Sequence, residues 1–211
     1  MTIGEQPMDN ITQALRLVRP ADALDASAKI CDQLPQALES IGALAQPFTP
    51  LSDKVLKSFE PLALDRDSQQ NNPAKALQAE RELIEWYQDR NQMFQAVALA
   101  REWLVSWVML QMGMGNQFSD KSMREQVERA LGAAVQQRRQ KAAEEEKSAA
   151  DGQKPIDLSK IQSDVVTLFD QLGNLRNDLM HAGKRPNPLQ ATSVEKKMRE
   201  FLKKLKELPL S

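Results

Sequence analysis

Residues 161–183 read IQSDVVTLFDQLGNLRNDLMHAG. Taken at about 100° per residue, Ile161, Val165, Leu168, Leu172, Leu175 and Leu179 fall on one narrow stripe, the pattern of a helix with a single face against a core. Gly183 reads as the C′ residue that ends this helix. Arg176 lies at the edge of the stripe, whereas Asn177 and His181 share the far side, so His181 is not a core histidine. It is also the only histidine in 211 residues.

That far side is where chemistry is expected. Imidazole can both take and give a proton near neutral pH, and the planar fork of an arginine grips phosphate oxygens. An Arg-Asn-x-x-x-His arrangement without metal ligands points to cleavage of a phosphodiester through its own 2′-hydroxyl. His181 would be general base or acid, Arg176 would stabilise charge on the phosphoryl oxygens, and Asn177 would hold the imidazole or the phosphate. A plainer reading stays open, in which a surface histidine near a helix C-terminus opposes the macrodipole as a cation. Asp178 points elsewhere and reads as a solvated residue.

The wheel also sets a difficulty. Arg176 and His181 are separated by roughly 140° on a straight helix, so one helix does not bring both onto one target. Unwinding at Gly183 would swing His181 round. Alternatively, a two-fold dimer pairing this face with its copy would gather two arginines and two histidines. Each chain has one imidazole, so acid and base catalysis by two of them needs two chains.

Composition narrows the classes. The net charge of −1 argues neither for nor against a polyanionic partner. Its distribution is uneven: residues 176–211 carry nine Lys or Arg against four Asp or Glu, while residues 1–70 carry six against ten. The basic tail adds weakly to a nucleic-acid reading, and Lys184 and Arg185, in the GKRPNP turn at 183–188, are the candidate RNA contacts. Cys31 is alone, which fits a reducing cytoplasm. With one His and one Cys the chain lacks the ligand set of a zinc site, and no cofactor or metal is expected. The reading finds no membrane span and no signal peptide.

Along the chain, Leu, Ala, Gln, Glu, Lys and Arg dominate, and period-two alternation is scarce; the expectation is all-α. Residues 1–8 read as a loose N-terminus. Prolines 20, 35, 47, 50 and 61 should cut residues 9–64 into short helices. Residues 65–72 (DRDSQQNN) read as a polar linker, which divides an accessory helical segment, 1–70, from a helical domain, 71–211. Within that domain Asn72-Pro73 starts a helix with Leu77, Ile84 and Tyr87 inward. A longer helix follows over 92–112, with Phe94, Val97, Leu104 and Val108 in register, broadened by Trp103 and Trp107 as core or interface. Ser119 or Asp120 caps the next helix, with Met123, Val127, Leu131 and Val135 inward. A charged flexible insertion is expected around 138–156, with the motif helix restarting at Pro155 and Asp157. A final helix over 193–208 buries Val194, Met198, Phe201, Leu202 and Leu205.

Arg176, Asn177 and His181 resemble the Arg-x(4–6)-His motif of the HEPN superfamily, in which a polar residue, often Asn, follows the arginine. Trp86-Tyr87, the stretch from Ala98 to Trp107, then Leu175-Arg176-Asn177-Asp178 and His181-Ala182-Gly183 are similar to the C-terminal HEPN region of CRISPR-associated CARF–HEPN ribonucleases. The likeness covers roughly residues 77–190, with an echo at 59–64. It implies a HEPN-like helical bundle and a metal-independent endoribonuclease of antiviral defence. The expected partners are single-stranded RNA and a second copy that completes a composite active site. It also implies a sensor domain for cyclic oligoadenylate, but no βαβ run or Gly-rich turn precedes residue 70. The sensor would then be supplied elsewhere, in a longer protein or not at all. Two alternatives remain: a catalytically inactive RNA-binding or dimerisation module, and a HEPN toxin held by an antitoxin.

Overall fold

The computed structural model describes residues 5–144, 163–184 and 186–210, with the side chains of residues 5–7 and 141–144 left aside. It is all-α, and no strand occurs among the described residues. In order the helices are α1 (Glu5–Arg16), α2 (Pro20–Ile41), α3 (Thr49–Phe59), α4 (Arg66–Asn71), α5 (Pro73–Asp89), α6 (Met93–Gln111), α7 (Lys121–Glu144), α8 (Ser163–Met180) and α9 (Ala191–Glu207). Short 3₁₀ turns cover Gly42–Phe48, Glu60–Leu62 and Gly115–Gln117. The chain divides into two compact units, Met1–Leu99 and Ala100–Ser211, with the division inside α6.

In the first unit the chain is more helical than its prolines suggest. Pro20 stands in the first turn of α2 and Pro50 in that of α3, where no backbone donor is missed. Pro47 falls inside the 3₁₀ turn Gly42–Phe48 and Pro35 inside α2, which continues through it for 22 residues rather than breaking into short helices. An interior proline costs about 3 kcal/mol. Burial of Ala23, Leu24, Ala26 and Ile30 on the same helix offsets this. The N-terminus is also less loose than expected, since α1 starts at Glu5. It ends where Val18 turns to φ 51°, with Val18 N–H donating to Leu15 O and Arg19 N–H to Ala14 O.

The expected linker at 65–72 is a structural joint. Asp65 caps α4 by accepting from Ser68 N–H at 2.9 Å and Ser68 Oγ at 2.6 Å, bonds that hold its carboxyl below the usual carboxylate range. Gln69 Nε2 donates to the carbonyls of Ala21 and Leu64, and Leu64 N–H donates to Leu24 O. Asn72 then caps α5 through Lys75 N–H at 2.9 Å, as the Asn-Pro pair indicates. The fully buried Tyr87 of α5 donates its hydroxyl to Leu15 O at 2.7 Å. Helix α5 thus packs with the N-terminal helices, and the structural division lies at 99/100 instead of 70/71. The unit leaves open an apolar groove of about 320 Å³ between α2 and α3, floored by Ile30, Leu34 and Leu38 and edged by the exposed Phe48 and Leu51.

The second unit is built on the C-terminal part of α6. Trp103, Leu104, Val105 and Val108 are buried, and Trp107 donates its indole N–H to Pro209 O at 2.7 Å. Both tryptophans therefore belong to the chain's own core, one of the two places that the sequence left open to them. Phe94, which the periodicity places inward, is 48% exposed. Helix α6 is long and apolar enough to cross a membrane by length and composition, and that same apolarity serves burial here. Asp120 caps α7 through Met123 N–H at 3.1 Å. A charged ladder joins α6 to α7: Arg101 meets Glu102 at 3.1 Å and Glu128 at 3.2 Å, and Arg124 meets Glu102 at 2.9 Å.

The start of the expected flexible insertion is helical. Helix α7 continues to Glu144, Arg138 donates to Ser163 O and Thr167 Oγ1, and Arg139 pairs with Asp170 at 2.7 Å. The remainder of the insertion, the restart at Pro155 and Asp157, and Ile161 lie outside the described residues. Val165, Leu168, Leu172 and Leu175 of α8 are buried as the stripe requires, and Leu179 is partly buried. All five apolar positions expected inward on α9 are buried.

Candidate nucleic-acid site on helix α8

The end of α8 carries the motif. Ala182 N–H donates to Leu179 O at 3.0 Å and Gly183 N–H to Asp178 O at 3.1 Å, the paired bonds of a Schellman ending. Ala182, with φ 50°, therefore takes the left-handed C′ place, and Gly183, with φ 70°, follows it at C″. This corrects the expectation that Gly183 is C′. His181 N–H still donates to Asn177 O at 3.0 Å, so His181 keeps its helical register and is not swung round.

His181 and Asn177 are exposed and Arg176 is partly buried. The helix is regular through these positions, so Arg176 and His181 diverge by roughly 140° and rise about 7.5 Å along the axis. One chain brings Asn177 and His181 together and leaves Arg176 apart. Lys184 is exposed in the turn just after His181, and its N–H donates to His181 O at 2.8 Å. Arg185 lies outside the described residues.

Asp178 departs most from expectation. It is 5% exposed, and its Oδ2 accepts Leu189 N–H at 3.3 Å. The wheel places it off the apolar stripe, but the 183–189 turn folds back and covers it. A buried carboxylate is tolerated where backbone donors replace its water.

Beside this face runs a polar groove of about 370 Å³ between α8 and α9. Asn174 and Asp178 of α8, Asn187 of the turn, and Lys197, Glu200 and Lys204 of α9 line it. None of Arg176, Asn177 and His181 does. Asn174 nevertheless precedes His181 by seven residues, which on α8 is a displacement of only about 20° around the axis and roughly 10.5 Å along it. The strip that borders the groove thus continues to His181, while Arg176 faces the other flank. These groove residues were missed in the sequence, although the seven-residue spacings Asn174/His181 and Lys197/Lys204 were readable there.

Among the described residues no group of three or more His, Cys, Asp or Glu side chains could hold a metal ion. Set against protein-family models, curated proteins and solved structures, the chain matches none of them.

Proposed function

We propose that this chain is a HEPN-type endoribonuclease that cleaves single-stranded RNA by attack of a ribose 2′-OH on the adjacent phosphate. The products are a 2′,3′-cyclic phosphate and a 5′-OH. One observation carries the reading: the only imidazole of the chain stands exposed at the end of a well-packed helix, one turn after the exposed Asn177 and beside the exposed Lys184. His181 moves the proton, which is typically worth roughly 10²- to 10⁴-fold. Asn177 orients imidazole or phosphate, Lys184 with Arg185 attracts the RNA, and Arg176 stabilises phosphoryl charge.

Since Arg176 diverges from His181 within one helix, the reading requires Arg176 of a second copy, in a homodimer that pairs the α8 faces. Trp103 and Trp107 play no part in that pairing, being buried in their own chain. Its setting is cytoplasmic antiviral defence, with the activating sensor or a restraining antitoxin supplied elsewhere. A second reading, an RNA-binding helical module without catalysis, is favoured by the groove that excludes all three motif residues. An RNase assay of wild type against His181→Ala separates the two.

A further inference from the structure

We propose that the α8–α9 groove holds the ribose–phosphate strand of a single-stranded RNA and leads it along α8 towards His181. This rests on the reading above for the identity of the polymer, and it adds the path that the strand takes.

Helix α9 carries six basic and three acidic residues over Ala191–Glu207. Arg199 is already paired with Glu195 at 2.6 Å. Of the remaining cations, Lys197 and Lys204 line the groove from positions seven apart, hence from one face of the helix and roughly 10.5 Å along it. A strand with regularly spaced phosphates meets such a pair, whereas an isolated anion meets one of them. Lys196 and Lys203 have the same spacing and are exposed, but do not line the groove.

The other groove residues are not those of a plain polyanion site. Glu200 sits between the two lysines, Asp178 lies buried on the α8 side with Leu189 N–H on its Oδ2, Asn174 gives its amide N–H to Asp170, and Asn187 brings an amide that both donates and accepts. Carboxylates repel a bare phosphate array but accept hydroxyl and amino protons. The mixture therefore fits a ligand that alternates anions with donors, which a ribose strand does through its 2′-hydroxyls. A deoxyribose strand lacks that donor.

The test measures binding rather than cleavage, in a His181→Ala background, so that it holds whether or not the wild type cuts RNA. Fluorescence anisotropy of a short labelled single-stranded RNA, and of the DNA of the same sequence, is read for Lys197→Gln/Lys204→Gln and for the matched pair Lys196→Gln/Lys203→Gln. The groove pair should weaken RNA binding at least tenfold, and the matched pair by less than twofold. The slope of log affinity against log salt should fall by about 0.7 for each phosphate that is no longer neutralised. DNA should bind more weakly than RNA to the parent. Amide chemical shifts of the unmutated groove on RNA titration should cluster on α8, Asn187 and α9, a readout that no folding defect can mimic. Equal losses in both lysine pairs, no loss in either, DNA bound as tightly as RNA, or shifts clustered away from α8 and α9 would overturn the proposal. RNA held in the groove of a protein that never cleaves would overturn the ribonuclease reading and leave the groove standing.

Discussion

The carboxylate of Asp178 accepts the backbone N–H of Leu189 and so ties the turn after α8 back onto the helix that carries His181. Removing it leaves the part-buried Leu189 N–H without that acceptor. Asp178→Ala should therefore lower stability by roughly 1–3 kcal/mol in chemical denaturation. His181→Ala and Asn177→Ala, which change only exposed side chains, should stay within about 0.5 kcal/mol of wild type. Leu172→Ala, at a fully buried position, should cost about 2–5 kcal/mol.

Three described non-glycine residues end helices in the left-handed region, Val18 at φ 51°, Asn91 at φ 56° and Ala182 at φ 50°, and of these asparagine tolerates it best. Side chains are strained there, the more so when β-branched. Val18→Gly and Ala182→Gly should each raise the thermal midpoint, by the equivalent of about 0.5–1 kcal/mol, with the valine change the larger. A lower midpoint for both would show that these turns are not held as described.

Burial pushes the Tyr87 phenol well above its ordinary range. A group whose folded pKa is raised contributes stability that is complete below its unfolded pKa, near 10, and is lost as pH rises beyond it. Wild type should therefore lose stability above about pH 10, and Tyr87→Phe should lose less over the same range. At neutral pH the phenylalanine variant should be less stable by about 1–2 kcal/mol, since the Leu15 carbonyl loses its partner. Denaturant midpoints across pH give both values.

If His181 and Arg176 carry the proposed chemistry without a Lewis acid, RNA cleavage should persist in excess EDTA and leave 2′,3′-cyclic phosphate ends. Strict dependence on Mg²⁺ or Mn²⁺, or 3′-OH ends, would refute the assignment. The end chemistry is read by whether phosphatase removes the terminal phosphate before and after acid treatment.

The sequence carried the helical fold well, because apolar spacing records burial directly: Leu77, Ile84, Leu131, Leu172 and Met198 are all buried where periodicity puts them. It failed where a neighbour distant in sequence changes a residue's surroundings. Asp178 looked solvated until the turn at Leu189 covered it, and the sequence left Trp107 between core and interface until Pro209 met its indole. Pro35 looked like a break, but the burial of α2 outweighs the missing hydrogen bond. Of the site, the exposure of Asn177 and His181 was legible from the wheel. The groove was not, because Lys197 and Lys204 come to line one groove with Asn174 only after α9 folds back beside α8.

Whether His181 is catalytic is decided by the rate at which purified chain cleaves a fluorogenic single-stranded RNA in EDTA, with wild type, His181→Ala and Arg176→Lys compared at equal thermal midpoints. Wild type should cleave, His181→Ala should be at least about 100-fold slower, and Arg176→Lys should bind RNA nearly as well but cleave at least about tenfold more slowly for want of the bidentate fork. Mixing His181→Ala with Arg176→Lys should restore part of the activity if the site is shared between two copies. A wild type that does not cleave, or variants that cleave at the wild-type rate, would contradict the account and leave His181 a surface residue at a helix end.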